Sequence, residues 1–168
     1  MRIRTTEECT ELRPLQEEDA ATVAAVTGDV SPERAQGWIR TILGYEEAGR
    51  EVACGVWVDG KMAGYVLLEI HDKREGLLHY GLVPAYRGQG IATRACAAMV
   101  GYAFLTLGLQ ALKVDPLADN VESCRVAERL GFVKVGIVQI AEGGRPCDVV
   151  RYRLTAEQWG ARQVQEET

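Results

Sequence analysis

This sequence has no feature that would suit a membrane span, a disulfide framework or a nucleic-acid surface. No apolar run reaches the roughly 18 residues that a bilayer-spanning helix needs. The N-terminal stretch Met1-Arg2-Ile3-Arg4-Thr5-Thr6-Glu7-Glu8 lacks the apolar core of a secretory signal. The five cysteines (Cys9, Cys54, Cys96, Cys124, Cys147) are odd in number and widely spaced, without a Cys-x-x-Cys pair. That spacing speaks against a disulfide scaffold and against a zinc site, and it implies reduced thiols and no metal. There is no basic run, and the formal net charge is −5, which argues against nucleic acid as the main partner. Internal repeats, low-complexity tracts and long linkers are also missing. What is left is a cytoplasmic protein of one domain, residues 1–168, with a polar, fraying tail after about residue 160. At 168 residues and 47% apolar content the chain can bury one sizeable core. Its acidic balance maintains solubility and would also draw in an ammonium group.

Periodicity and punctuation give an order of elements. Glu11 to Leu15 reads as a strand closed by Pro14. Glu17-Glu18-Asp19 opens a helix running to about Val26. Ser31-Pro32 caps a second helix with Trp38, Ile39, Ile42 and Leu43 on its apolar face. Asp59-Gly60 between two β-rich runs is a hairpin signal. Gly76 to Val83 is a strand, and Gly90 to Leu107 is a helix with Ile91, Ala95, Ala98, Tyr102 and Leu105 facing the sheet. A short strand at Ala111 to Val114 precedes a helix over Asp119 to Leu130, where Asp119 and Glu122 stand in capping-box relation. Gly131 suits the left-handed C-cap, with Phe132 as its apolar partner. Val133 to Gln139 and Val149 to Leu154 form a last strand pair. This is an α/β chain with about seven strands and about four helices.

The most informative segment is Leu82-Val83-Pro84-Ala85-Tyr86-Arg87-Gly88-Gln89-Gly90-Ile91-Ala92-Thr93. It joins a strand to a helix through two glycines. Glycine permits close backbone approach, and a helix start offers unpaired N–H groups with the positive end of the dipole. Together they make an anion site suited to phosphate. The dinucleotide fingerprint G-x-G-x-x-G fails because Thr93 stands where the third glycine belongs, and no Gly-Lys-Ser/Thr P-loop occurs. What matches is Arg/Gln-x-x-Gly-x-Gly/Ala, here Arg87-Gly88-Gln89-Gly90-Ile91-Ala92.

That segment resembles the signature of the GNAT acetyltransferase superfamily, which binds the coenzyme A pyrophosphate on these amides. Asn120-Val121-Glu122-Ser123 through Leu130-Gly131-Phe132 resembles the family's second signature helix. With Leu12-Arg13-Pro14-Leu15 and Arg151-Tyr152-Arg153-Leu154, the likeness extends to the RimJ/RimL branch, the ribosomal-protein N-terminal acetyltransferases and their relatives. The resemblance implies a mixed, mostly antiparallel sheet, acetyl-CoA as co-substrate, and no metal. Acetyl transfer would go to an amine by direct attack in a ternary complex. The acceptor would be a small-molecule amine or a protein N-terminus, and the resemblance is compatible with a homodimer. It places Arg87, Gly88, Gln89, Gly90, Ile91 and Ala92 on the diphosphate, Asn120 on the pantetheine arm or substrate, and Ser123 near the sulfur. A backbone N–H at Leu82 or Val83 would hold the oxyanion. One departure stands out: many members carry a tyrosine acid seven residues after the asparagine, where this chain has Ala127. A longer acyl group, another acceptor, or a silent coenzyme-binding module are the alternatives.

An aliphatic amine is mostly protonated at neutral pH, so attack needs a base. His79 on the central strand and Glu69 on the strand before it are the two candidates. His71 reads as a solvated loop residue. Trp38 and Tyr45 lie in the helix that lines the acceptor cleft in the family, and Arg94 and Arg125 join Arg87 as cations near the phosphates. Cys124 has no histidine partner in sequence and carries no covalent mechanism.

Overall fold

The structure is a computed structural model, and it describes residues 3–4, 10–72 and 74–168; Cys9 lies outside them. Eight strands form one sheet in the order β1-β2-β3-β4-β5-β6-β8-β7. They are β1 (Ile3–Arg4), β2 (Thr10–Pro14), β3 (Glu51–Val58), β4 (Lys61–His71), β5 (Glu75–Leu82), β6 (Ala111–Val114), β7 (Val133–Glu142) and β8 (Arg145–Thr155). All neighbours pair antiparallel except β5 and β6, which are parallel. Seven of these are the strands expected from sequence, and β1 is a two-residue addition at one edge.

Five helices flank the sheet: α1 (Ala20–Thr27), α2 (Pro32–Glu47), α3 (Ile91–Leu105), α4 (Val121–Arg129) and α5 (Ala156–Glu166). Ser31 caps α2 by accepting the Arg34 N–H at 3.3 Å, and Asp59 and Gly60 turn the β3–β4 hairpin with positive φ. The segment read as a fraying tail is α5. Thr155 and Gln158 cap it reciprocally, and Trp159 packs on Phe104 with ring centroids 5.5 Å apart. Polarity concealed this helix, because only Ala156 and Trp159 pack on the core while Arg162 donates to Arg129 C=O.

Strand alternation splits the side chains between two faces. Val66, Leu68, Leu78 and Leu82 meet α3, where Cys96, Met99, Val100, Ala103 and Phe104 are buried. Leu67 and Ala53 meet Ala35, Ile39 and Ile42 of α2. Each large apolar side chain so buried contributes about 1.5–3 kcal/mol. The α3 face differs from the expected stripe, for Leu105 is 76% exposed. Helix α3 is apolar almost all round, so spacing alone could not fix which side faces inward.

What positions the functional site is the parting of β5 and β6. Their ladder covers only Glu75 to Leu77 opposite Ala111 to Lys113. Beyond it the chain leaving β6 is held to β8 instead. Arg151 donates to both carboxylate oxygens of Asp115, at 3.0 and 2.8 Å, and the Val150 N–H donates to Pro116 C=O at 2.9 Å. β5 therefore runs on to Leu82 with one free edge.

Candidate active site

A cavity of about 560 Å³ lies at this parting. The end of α1, the end of β5, the turn into α3 and one face of α4 line it, through residues that include Val26, Tyr65, Tyr80, Leu82, Gly88, Gly90, Asn120, Ser123, Arg125 and Arg129.

The turn is shaped as its sequence requires. Gly88 and Gly90 hold φ of +74° and +75°, a region that disfavours any side chain. Gly90 is the N-cap of α3 and has no side-chain cap. The first helical bond runs from the Arg94 N–H to Gly90 C=O, so Ile91, Ala92 and Thr93 keep the free N–H groups of a helix start. No protein acceptor among the described residues takes the N–H groups of Gly88, Gln89 or Gly90. Those amides, with the helix dipole behind them, fit a diphosphate.

Arg87 serves a different purpose from the one its place in the motif suggests. Its Nε donates to Leu82 C=O at 3.0 Å and its Nη2 to Val26 C=O at 2.9 Å, tying α1 to the end of β5. Gln89 turns its amide back onto Ala85 C=O at 3.0 Å, and Arg94 donates to Gln89 C=O at 3.3 Å.

Backbone direction distinguishes the N–H groups of Leu82 and Val83. The Val83 N–H is taken, donating to Ala63 C=O at 2.8 Å. Antiparallel alternation then aims the backbone groups of Gly81 and His79 at β4, and those of Tyr80 and Leu82 at the open side. Leu82 keeps an N–H on the cleft.

Asn120, not Asp119, caps α4: its Oδ1 accepts the Ser123 N–H at 3.2 Å. Its Nδ2 has no acceptor among the described residues. The Tyr80 hydroxyl donates to Ser123 C=O at 2.9 Å, bridging the parted strand and α4. Burial above all raises the Tyr80 phenol, and it stays protonated as a donor. Ala127, at the position of the family's tyrosine, is fully buried. Gly131 and Phe132 close α4 as expected, with the Phe132 N–H on Ala127 C=O at 3.0 Å.

The two candidate bases come together, and a third group joins them. Glu69 Oε2 lies 3.5 Å from His79 Nε2 and 3.4 Å from His71 Nε2. His71 is the last residue of β4, not a loop residue. None of the three lines the cavity. All project on the α1/α2 face, and His79 is two residues, about 7 Å, along β5 from Gly81 in the cavity wall. Glu51 sits directly opposite Glu69 on β3. Burial pushes its carboxyl up, and the facing Glu69 charge adds to this. Its Oε2 is buried with no partner among the described residues. Two carboxylates facing each other across a strand pair repel, which makes this patch receptive to a cation. Trp38 stands edge-on to Tyr65 at 5.4 Å, beside the cavity; Tyr45 lies under Arg50 at 5.2 Å and does not reach it.

Sequence reasoning missed Tyr65, Tyr80, Glu51 and Arg129. Alternation from Leu82 could have put Tyr80 on the α4 side. The Asp59-Gly60 hairpin alone would set Glu51 against Leu68; a bulge at Val56/Trp57, which nothing in the sequence signals, moves it opposite Glu69. Among the described residues no group of three His, Cys, Asp or Glu side chains is arranged to hold a metal, and no helix is long and apolar enough to cross a membrane.

The Acetyltransferase (GNAT) domain family matches residues 10–133. The Bacillus subtilis protein YdaF, provisionally named a ribosomal N-acetyltransferase, is 30% identical over 112 residues. That match covers 64% of this chain and 61% of YdaF. The spermidine N(1)-acetyltransferase of Escherichia coli K12 is 36% identical over 76 residues, covering 44% of this chain and 41% of that enzyme. The matched stretches thus span between two fifths and three fifths of these relatives. Among solved structures, RimL, the ribosomal L7/L12 α-N-protein acetyltransferase in complex with coenzyme A, superposes with a TM-score of 0.80 at 22% identity. It covers 92% of this chain and 98% of that one. A GNAT-family acetyltransferase from Bacillus anthracis gives 0.81 at 20% identity, covering 94% and 99%. At these identities the structures share the fold.

Proposed function

This chain belongs to the GNAT acetyltransferase family, and from that premise we propose that it transfers the acetyl group of acetyl-CoA to a primary amine. The observation that carries the reading is the turn Gly88 to Ala92, whose unpaired amides face a cavity at the parting of β5 and β6. Acetyl-CoA supplies an activated thioester. The chain's own groups do the rest.

The amides of Gly88 to Ala92 hold the diphosphate. The free edge of β5 at Tyr80 pairs with the pantetheine arm, and Asn120 adds its side-chain donor. The Leu82 N–H faces the site where negative charge develops on the carbonyl oxygen; a preorganised donor of this kind contributes about 3–4 kcal/mol. Tyr80 pins the first turn of α4 and so fixes where Ser123 stands. With alanine at position 127, Ser123 or a water is the proton source for the departing thiolate.

The acceptor amine approaches from the α1/α2 face, between the Trp38–Tyr65 pair and the carboxylates. There His79 takes the proton through an intervening water, and Glu69, 3.5 Å behind it, orients the imidazole. The acidic pair Glu51–Glu69 favours a cationic acceptor. Both a protein N-terminus, as for RimL, the ribosomal L7/L12 α-N-protein acetyltransferase, and a small polyamine, as for the spermidine enzyme, meet this requirement. The four described cysteines are free thiols, in keeping with a reducing cytoplasm.

A panel of amines, peptides with free N-termini and polyamines included, assayed by release of free coenzyme thiol, tests the function. His79→Ala should lower kcat by about 10²–10⁴-fold while leaving acetyl-CoA binding unchanged. Glu69→Gln should lower kcat by a smaller factor, because it removes the group that orients the imidazole. Turnover on no acceptor, or an unchanged kcat in both variants, would reject the mechanism.

A further inference from the structure

Gly64 stands inside β4, and a glycine within a strand weakens it unless another backbone comes close. Here one does. Gly64 pairs with Leu82 across the β4–β5 ladder. A Cβ built on Gly64 would lie 2.8 Å from Leu82 Cα and 2.9 Å from the Gly81 carbonyl carbon, and closer still to the oxygen of that carbonyl. All three atoms are backbone, so no side chain can swing aside to make room. The β5 backbone passes over the place that a side chain at position 64 would fill. Gly81 repeats the arrangement on the other face of the sheet. A Cβ there would meet Val26 Cγ1 of α1 at 2.5 Å and Tyr65 Cε1 at 3.4 Å. The end of β5 is thus seated between β4 and α1 because both positions lack side chains. Gly76, at the closed end of the β5–β6 ladder, is crowded in a different way. A Cβ there would meet only side-chain ends, Leu68 Cδ1 at 2.7 Å and Leu112 Cδ2 at 2.9 Å.

Leu82 is the residue that keeps an N–H on the cleft, and how far β5 leans over β4 sets where that N–H points. Resting on the acetyl-transfer reading above, we propose that Gly64 is a positioning residue for the transfer step. Its missing side chain lets β5 lie over β4 and aims the Leu82 N–H at the carbonyl oxygen of the thioester. The diphosphate is held elsewhere, on the start of α3, which the core anchors through Ile91 and Ala95.

Steady-state kinetics and calorimetry on glycine variants test this. Gly64→Ala forces the β5 backbone to retreat by about 1 Å, and a misplacement of that size costs about 100-fold in rate. Its kcat should fall by about that factor, with acetyl-CoA affinity within threefold of wild type. Gly76→Ala should also lower Tm, yet leave kcat within threefold. Gly81→Ala should lose kcat as Gly64→Ala does, and adding Val26→Ala, which removes the methyl group it meets, should recover most of the loss. A kcat for Gly64→Ala within threefold of wild type would overturn the proposal. So would an equal fall in its acetyl-CoA affinity, or an equal loss of kcat in Gly76→Ala. Should Gly64→Ala not fold, the Gly81 variants decide: full activity in Gly81→Ala, or no recovery in the double variant, overturns the proposal. A wild type that binds acetyl-CoA and turns over no amine would sink the acetyl-transfer reading instead.

Discussion

Replacing Gly90 with glutamate strikes the amide cradle directly, and its two consequences can be separated. The first is conformational. Gly90 holds φ +75°, and a Cβ there would lie 3.2 Å from Arg94 Nη1, the movable end of a side chain. The backbone strain is then the main folding cost, about 1–2 kcal/mol. For a chain of this length that lowers Tm by roughly 2–8 °C. The second consequence is electrostatic. A carboxylate about 4 Å from a diphosphate oxygen, near a surface, repels it by about 4 kcal/mol. This corresponds to a loss in affinity on the order of 1,000-fold. Gly143→Glu provides the control. Gly143 also has positive φ, +57°, in the β7–β8 turn, with nothing within 4 Å of a new Cβ. It should cost a similar Tm with no change in acetyl-CoA binding. Thermal melts and calorimetry on both variants make the comparison. If Gly90→Glu binds acetyl-CoA within threefold of wild type, the diphosphate does not sit on this turn.

Two further outcomes follow from titrating groups. Lys113 Nζ at 2.9 Å and Arg153 at 3.1 Å hold the Glu75 carboxyl below the usual carboxylate range. A depressed carboxylate stabilises the fold above its unfolded pKa, and the gain disappears as pH falls through the lowered folded value. Glu75→Gln should therefore lower the urea midpoint at neutral pH, with the gap to wild type closing in acid; a gap independent of pH would refute the pairing. Burial pushes the Cys54 thiol up to about 12 and raises Cys96 as well, so both stay protonated at pH 8. Alkylation of the native protein followed by mass mapping should label the half-exposed Cys124 and Cys147 and spare the other two; rapid native labelling of Cys54 would contradict its burial.

The half of the site proposed to hold the coenzyme was legible in the sequence because its chemistry is local. The turn Gly88 to Ala92 is set within a few residues of chain. So are the hairpin at Asp59-Gly60 and the C-cap at Gly131-Phe132, and all were readable. The acceptor half depends on strands meeting. Glu69 reads as one carboxylate in an apolar strand until register sets it beside His79, His71 and Glu51. The same holds for Arg87, which the motif assigns to phosphate and the packing of α1 against β5 assigns to two carbonyls.

By itself, then, the sequence determined that a helix start with two glycines ahead of it would present free amides to an anion, since φ and the first-turn N–H groups depend on neighbours in the chain. Only the tertiary structure decided that β6 is drawn off toward β8 by Arg151 and Asp115, which opens the cleft those amides face. It also decided that the Leu82 N–H is left free while that of Val83 is spent on Ala63. Hydrogen-bond direction across a sheet is set by register between segments far apart in the chain, and no local pattern encodes it.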